Sequence, residues 1–200
     1  MSPQEILAQI QAGCPAKGRR IIAVAGAPAS GKSTLAESLA QLCPKSCVVP
    51  MDGFHRDNED LKQAGLFHVK GAPQTFDVKS FIDVVSSMRS GQDITFPTFD
   101  RANDCVVPKG GVLAASIETV FVEGNYVLLG QAPWDQLAQL WDYSVMLNVP
   151  EDELEKRLIA RWVHYGFDPE AARARALAND IPNAQTVSRH SLQADLTVTQ

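Results

Sequence analysis

Two hundred residues, 45% of them apolar, suffice for one continuous core and are too few for two comfortable ones. A formal net charge of −5 argues against a chain whose main partner is a nucleic-acid backbone, because that role needs a basic surface. The start MSPQEILAQIQAGCP lacks the pattern of a secretory leader, and the longest apolar run, IIAVAGA, is far below the roughly 20 residues of a membrane span, so no membrane partner and a cytoplasmic location are expected.

In chain order, RRIIAVAG (19–26) predicts a strand buried on both faces, since five successive apolar residues leave no solvent side. A helix should follow in KSTLAESLAQLC, where Leu35, Leu39 and Leu42 with Ala36 and Ala40 form one apolar stripe. SCVVPMD (46–52) predicts a second short strand, although Pro50 is awkward inside a central ladder. DVKSFIDVVSSMRSG predicts a helix with Asp77 as N-cap, Phe81, Val84, Val85 and Met88 on one face, and Gly91 at the exit. DITFPTFD and DCVVPKGGVL predict shorter extended pieces around a Lys-Gly-Gly turn, which makes residues 93–113 a small excursion from the main sheet.

Strands follow at 118–124 and 142–149, then a helix from Pro150 to Gly166, a shorter helix in DPEAARARALAND, and a last strand at 194–198. Strands alternating with helices imply an α/β, three-layer fold with a mainly parallel sheet, in a single domain spanning 1–200. Ligands of such sheets collect at the carboxyl ends of the strands, which directs attention to the residues just after 25, 51 and 122. Cys14, Cys43, Cys47 and Cys105 form no CxxC, and His55, His68, His164 and His190 form no i, i+4 pair. Reduced, mostly buried thiols and no structural zinc are expected.

The segment Gly26, Ala27, Pro28, Ala29, Ser30, Gly31, Lys32, Ser33, Thr34 fits G-x-x-x-x-G-K-[ST] between a predicted strand and a predicted helix. Glycines let the backbone curl around an anion, with amide hydrogens pointing inward at a helix N-terminus. Lys32 should reach the β- and γ-phosphates of ATP, and the Ser33 hydroxyl should ligate Mg²⁺. The chain has no N-K-x-D guanine-reading motif and no L-S-G-G-Q motif, which argues against a GTPase and a motor. Asp52 ends the second strand, at the rim the loop occupies. It can take the proton of an attacking hydroxyl, or it can cap the Asp-Gly turn. From its position, both readings stand.

In this order, GAPASGKST, MDGFH, GAPQTFD, FPTFD and VFVEGNYVLL resemble the P-loop kinase family that includes uridine kinase, pantothenate kinase and phosphoribulokinase. The resemblance runs from about residue 20 to residue 198, and its nearest branch is the one often labelled fructose-transport-system or uridine-kinase-like. It implies that Asp52 is the catalytic base and that Glu123 works on Mg²⁺ or its waters. It implies that Phe76, Asp77, Phe99, Asp100 and Arg101 line the acceptor pocket, within an acceptor-binding excursion at about 53–118. A further histidine of uridine kinases has no clear counterpart here, Asn103 lying nearby, and His55 replaces an aromatic and can bond an acceptor hydroxyl.

Arg157 and Arg161 share a helix face and resemble lid arginines that close over the triphosphate, in a lid at about 157–175, although Glu153 can also pair with Arg157. Arg173 and Arg175 cannot share one helix face. NDIPNAQTV (179–187) resembles a loop near the adenine. The resemblance implies a Mg·ATP-dependent transfer of the γ-phosphoryl group to a small-molecule alcohol such as a sugar, a nucleoside or a pantothenate-like compound. The alternatives are a nucleoside monophosphate kinase, or an ATP-binding regulatory protein with little transfer activity. The acceptor and the oligomeric state are not readable from the residues, although similar kinases are often homodimers.

Overall fold

The computed structural model describes residues 1–14 and 18–200. β1 (Arg20–Gly26) is the central strand of a five-stranded parallel sheet. It is flanked by β5 (Thr119–Gly124) and β6 (Tyr143–Asn148), with β2 (Ser46–Pro50) and β7 (Leu196–Thr199) outermost. Pro50 is tolerated because β2 is an edge strand, where a missing N–H breaks no central ladder.

The pleat of β1 distributes its side chains to two layers, as a strand covered on both faces must. Ile21, Ala23 and Ala25 enter a core with Phe81 and Val85 of α4 (Val78–Ser87). Ile22 and Val24 enter another with Leu35 and Leu39 of α2 (Lys32–Leu42), and with Ile6 and Ile10 of α1 (Pro3–Gly13). A helix at α1 was not expected, although its signals are present. Ser2 caps it, Pro3 occupies its first position, and Glu5 completes a capping box. A third, smaller cluster joins Leu154 and Leu158 of α5 (Glu151–His164) to Ala176, Ile181 and Ala184. It seats α6 (Pro169–Arg175) and α7 (Ile181–His190) over the carboxyl end of the sheet.

Short helical pieces, α3 (Asn58–Gln63) among them, carry the chain from β2 to α4. An antiparallel hairpin of β3 (Ile94–Asp100) and β4 (Cys105–Leu113) then leaves the main sheet. Its turn is not Lys-Gly-Gly, as the sequence reading expects, but residues 101–104. The Asp100 carboxylate accepts hydrogen bonds from the backbone N–H of Ala102 (2.9 Å) and Asn103 (3.0 Å) and from Asn103 Nδ2 (2.7 Å), and so closes that turn. Gly110 and Gly111 lie inside β4. A Cβ there would stand 1.9 Å from Thr98 Oγ1 and 2.3 Å from the Phe96 ring, so these glycines admit neighbouring side chains where the strand pairing shifts register, Phe96 facing Gly111 and Thr98 facing Val107.

Arg19 ties the excursion to the sheet. The residue is 7% exposed, and its guanidinium donates to the carbonyls of Ile117, Met88 and Ala114 at 2.9–3.0 Å. Cys14 and Cys43 are buried, Cys47 half-buried and Cys105 exposed, all as free thiols.

Candidate active site

Between β1 and α2 the backbone passes through two left-handed residues, Ala29 (φ 62°) and Gly31 (φ 87°). Such residues alternating with others curl successive N–H groups toward one point, here at the positive end of an eleven-residue helix. Gly26 is needed for closure, because a Cβ would stand 2.4 Å from Ser30 Oγ. Burial lowers the pKa of the Lys32 ammonium, against the opposing charges of Glu123 and Asp52. Its hydrogen bond within the described residues is a long one, 3.5 Å to the carbonyl of Ala27. A nest of amides with a shielded ammonium beside it can hold an anion such as a polyphosphate.

Strand register sets the opposite wall. Glu123 is aligned with Val24 on one side and Pro50 on the other, so the ends of β1, β5 and β2 share one rim. Glu123 is 5% exposed. Burial, the dominant influence, raises its pKa; the charge of Lys32 and the nearby Ser33 hydroxyl oppose that, and the Asp52 charge adds to it. Among the described residues no cluster of three or more His, Cys, Asp or Glu side chains could hold a metal ion. Ser33 and Glu123 offer two hard oxygen donors, which suits Mg²⁺, an ion that keeps several waters and substrate phosphates in its shell.

Asp52 lies in the single 3₁₀ turn Met51–Phe54 that follows β2. Burial pushes its carboxyl upward, but Arg101, His55 and Lys32 outweigh that and hold it below the ordinary carboxylate range. Its direct partner is Arg101, whose Nη2 donates to Asp52 Oδ2. Gly53 permits this approach, since a Cβ there would stand 2.0 Å from the carbonyl oxygen of Pro97 in the hairpin.

A cavity of about 830 Å³ opens over these groups, lined among others by Lys32, Asp52, His55, Arg101, Asn125 and Arg161. The His55 ring stacks on Phe76 at 4.1 Å and 26°, with Phe99 at 4.9 Å. Burial pushes its pKa down to about 4, so the imidazole is neutral near pH 7. Lys70 stands 5.0 Å from the Phe99 ring centroid and pairs with Asp104 at 2.7 Å. The side of the cavity formed by the end of α5 and by α6 is aromatic. The guanidinium of Arg161 lies over Trp162 and Tyr165, and that of Arg175 lies 4.2 Å from the Trp162 centroid. Trp162 Nε1 in turn donates to Asp180 at 2.6 Å.

The structure thus brings together Lys32, Asp52, His55, Phe76, Phe99, Arg101 and Arg161 around one cavity. Three other expected residues of the acceptor and nucleotide sites, Asp100, Arg157 and Asp77, stand elsewhere, Asp100 closing the hairpin turn. Arg157 donates to Glu153 at 2.9 Å and to Gln200 at 3.2 Å and does not line the cavity. Asp77 caps α4 through Ser80 N (3.1 Å) and Ser80 Oγ (2.6 Å). It lines a larger groove of about 1000 Å³ on the other side of His55 and Phe76, which holds no phosphate-loop residue. Arg173 pairs with Glu155 at 3.2 Å. Most of residues 179–187, expected as a loop, belong to α7. Pro182 sits in the first turn of that helix, where it removes only an N–H with no intrahelical partner.

A model of the "Phosphoribulokinase / Uridine kinase family" matches residues 21–200. The chain belongs to this family. Protein YggC of Escherichia coli K12 is 36% identical over 96% of this chain and 82% of its own length. A provisionally named uridine kinase, C227.14 of Schizosaccharomyces pombe, is 30% identical over 91% and 83%. Among solved structures, a provisionally named fructose transport system kinase from Silicibacter sp. TM1040 superposes with a TM-score of 0.93, at 39% identity, over 99% of each chain.

As a member of a family of P-loop kinases, the chain is placed among nucleotide-binding phosphotransferases. This family member also carries cavity residues that the sequence reading does not single out: Asn125, Lys70, Trp162 and Asp180. Asn125 was within reach, two residues past Glu123 at a strand end. The other three come from segments whose approach to the cavity depends on tertiary packing.

Proposed function

We propose that this chain is a Mg·ATP-dependent kinase that transfers the γ-phosphoryl group to a hydroxyl of a small molecule. The observation that carries the reading is one cavity with the phosphate-loop ammonium, Lys32, and an ionised carboxylate, Asp52, in its lining. In the transfer, the acceptor O–H proton goes to Asp52, the new bond forms from the acceptor oxygen to phosphorus, and the bridging bond to ADP breaks. Ser33 and Glu123 would hold Mg²⁺, which would supply positive charge against that of the phosphates.

The nest from Gly26 to Thr34 holds the polyphosphate chain, and Lys32 follows the charge of the transferred group. Arg161 closes from the lid and excludes water. Arg157, bonded to Gln200 beside Gly31, borders the nucleotide rather than the transferred group. His55, Phe76, Phe99 and Arg101 surround the acceptor, while Asp77 acts through the start of α4.

Cation placement disfavours a nucleoside monophosphate as acceptor. Of the arginines between 53 and 118, Arg89 pairs with Asp142 at 3.0 Å, Arg56 lines the neighbouring groove, and Arg101 is engaged by Asp52. The test is ADP release over a panel of sugars, nucleosides and vitamin alcohols, with the wild type and Asp52→Asn. A kinase loses about 10²–10⁴-fold in turnover on that substitution and keeps its affinity for a fluorescent ATP analogue. A regulatory ATP-binding protein shows the same slow hydrolysis in both forms, and that result ends the proposal.

A further inference from the structure

The lysine and arginine side chains of α5 and α6 fall into two sets. Lys156, Arg157 and Arg173 are each paired with a carboxylate of α5, at 3.6 Å to Asp152, 2.9 Å to Glu153 and 3.2 Å to Glu155 respectively. Arg161 and Arg175 instead line the cavity with Lys32 and Asp52, and among the described residues neither has a carboxylate at ion-pair distance. The charge of Arg161 disfavours the Lys32 ammonium, so this guanidinium is within electrostatic reach of the phosphate loop.

One indole holds both guanidiniums. The Trp162 ring centroid is 4.2 Å from Arg175 Cζ and 5.7 Å from Arg161 Cζ. Tyr165 and Phe167 stand edge-on to the same indole, at 5.9 and 5.4 Å between centroids. Each adds a second ring to one guanidinium, Tyr165 to Arg161 and Phe167 to Arg175, both at 5.8 Å. A cation held against a ring uses none of its N–H groups, whereas a carboxylate partner would occupy one or two. Two guanidiniums presented in this way keep their donor forks for an anion in the cavity, and phosphate oxygens match such a fork bidentately.

Trp162 is itself fixed from a distance. Its Nε1 donates to Asp180 at 2.6 Å, across 18 residues of chain. Asp180, 9% exposed, ends a π-helical turn, Ala176–Asp180, after which the Ile181 N–H donates to the carbonyl of Ala176. A π turn holds one residue more than an α turn, and that residue rotates the later side chains by about 100° around the axis. Such turns are rare and concentrate at functional sites. Burial, the larger influence, raises the Asp180 pKa; the bond from Trp162 and the charges of Arg161 and Arg175 oppose that. An amide oxygen could accept the indole N–H equally well, but only a carboxylate also balances two guanidiniums gathered on one ring.

We infer that Trp162 and Asp180 are positioning residues for the phosphoryl group: Asp180 fixes the indole, and the indole presents Arg161 and Arg175 together to the terminal phosphate of the nucleotide. The inference rests on the kinase reading in taking that nucleotide to be ATP; its binding prediction requires no transfer.

The experiment is calorimetry with Mg²⁺, comparing the β,γ-imido analogue of ATP with ADP, which lacks the terminal phosphate. In Trp162→Leu and in Asp180→Leu, affinity for the analogue should fall at least tenfold, as for the loss of charge-assisted hydrogen bonds, while affinity for ADP stays within threefold. Trp162→Phe, which keeps an aromatic face without the N–H, should lose less than Trp162→Leu. Asp180→Asn, whose amide oxygen still accepts the indole N–H, should bind the analogue within threefold of the wild type or more tightly. A merely structural role predicts equal losses for the two nucleotides. Should the leucine variants fail to fold, NMR of the wild type decides. Of the signals of its three indole N–H groups, the one absent from Trp162→Phe should move with the analogue and stay in place with ADP.

Equal losses for both nucleotides, an Asp180→Asn variant as weak as Asp180→Leu, or a Trp162 signal that ignores the analogue would each overturn the inference. Transfer assays over the alcohol panel keep the two readings apart. Discrimination between analogue and ADP that depends on Trp162 and Asp180, with no alcohol phosphorylated, ends the kinase reading alone. Transfer with a discrimination that these substitutions leave unmoved ends the inference alone, and a wild type that binds neither nucleotide ends both.

Discussion

Arg101 Nη2 donates to Asp52 Oδ2 across 49 residues of chain, joining the tip of the β3–β4 hairpin to the turn after β2. The charge of Arg101 is the largest of the influences that keep the Asp52 carboxyl ionised despite its burial. Removing it should raise the Asp52 pKa, because burial is then less opposed. In Arg101→Gln the acid limb of the kcat/KM profile should move to higher pH. A profile with an unshifted acid limb would remove Asp52 as the titrating base.

His55 has a stability consequence of opposite origin. Its folded pKa is about 4 against an ordinary 6.5, so between these values the unfolded chain takes up a proton that the folded chain refuses. Stability from this group is therefore complete above pH 6.5 and declines as pH falls toward 4, by on the order of 2 kcal/mol between pH 7.5 and 5. Urea unfolding at the two pH values should show that decline in the wild type and a smaller one in His55→Phe, which has no imidazole to protonate.

Gly53 allows the hairpin backbone to lie against the turn that carries Asp52, a Cβ being 2.0 Å from Pro97 O. Gly53→Ala should cost about 1–3 kcal/mol as an overpacked contact, and it should lower kcat more than it weakens nucleotide binding, since the shift displaces Asp52 and leaves the loop at 26–34 in place. Equal loss of both would mean a general unfolding effect.

Lys32 should separate stability from ligand binding. Burial disfavours its charge, so Lys32→Met should leave the melting temperature of the nucleotide-free protein unchanged or higher. The rise in melting temperature on adding Mg·ATP should disappear in the variant. A retained shift would place the polyphosphate elsewhere.

Much of the architecture was legible because local signals and packing agree. The apolar run of β1, the stripe of α2 and the capped start of α4 each specify an element whose buried face the parallel sheet then uses. The phosphate loop was legible for a related reason, since its function rests on backbone conformation and the glycines that permit it are visible in the chain. Misreadings came where one residue type serves two purposes. Lys109, Gly110 and Gly111 read as a turn but lie within β4 where its pairing shifts register beside Phe96 and Thr98. The loop that the resemblance implied at 179–187 is mostly α7.

The chain alone therefore determined the α/β class, the parallel sheet, the anion-binding loop and the strand ends at which chemistry would gather. Only the folded structure decided which side chains share the cavity. It brought Asn125, Lys70, Trp162 and Arg175 to the site, engaged Arg157 with Glu153 and Gln200, and used Asp77 as a helix cap. The physical reason is range. Periodicity, caps and glycine loops act within a few residues, whereas cavity membership depends on contacts between segments tens of residues apart, such as that of Arg101 with Asp52.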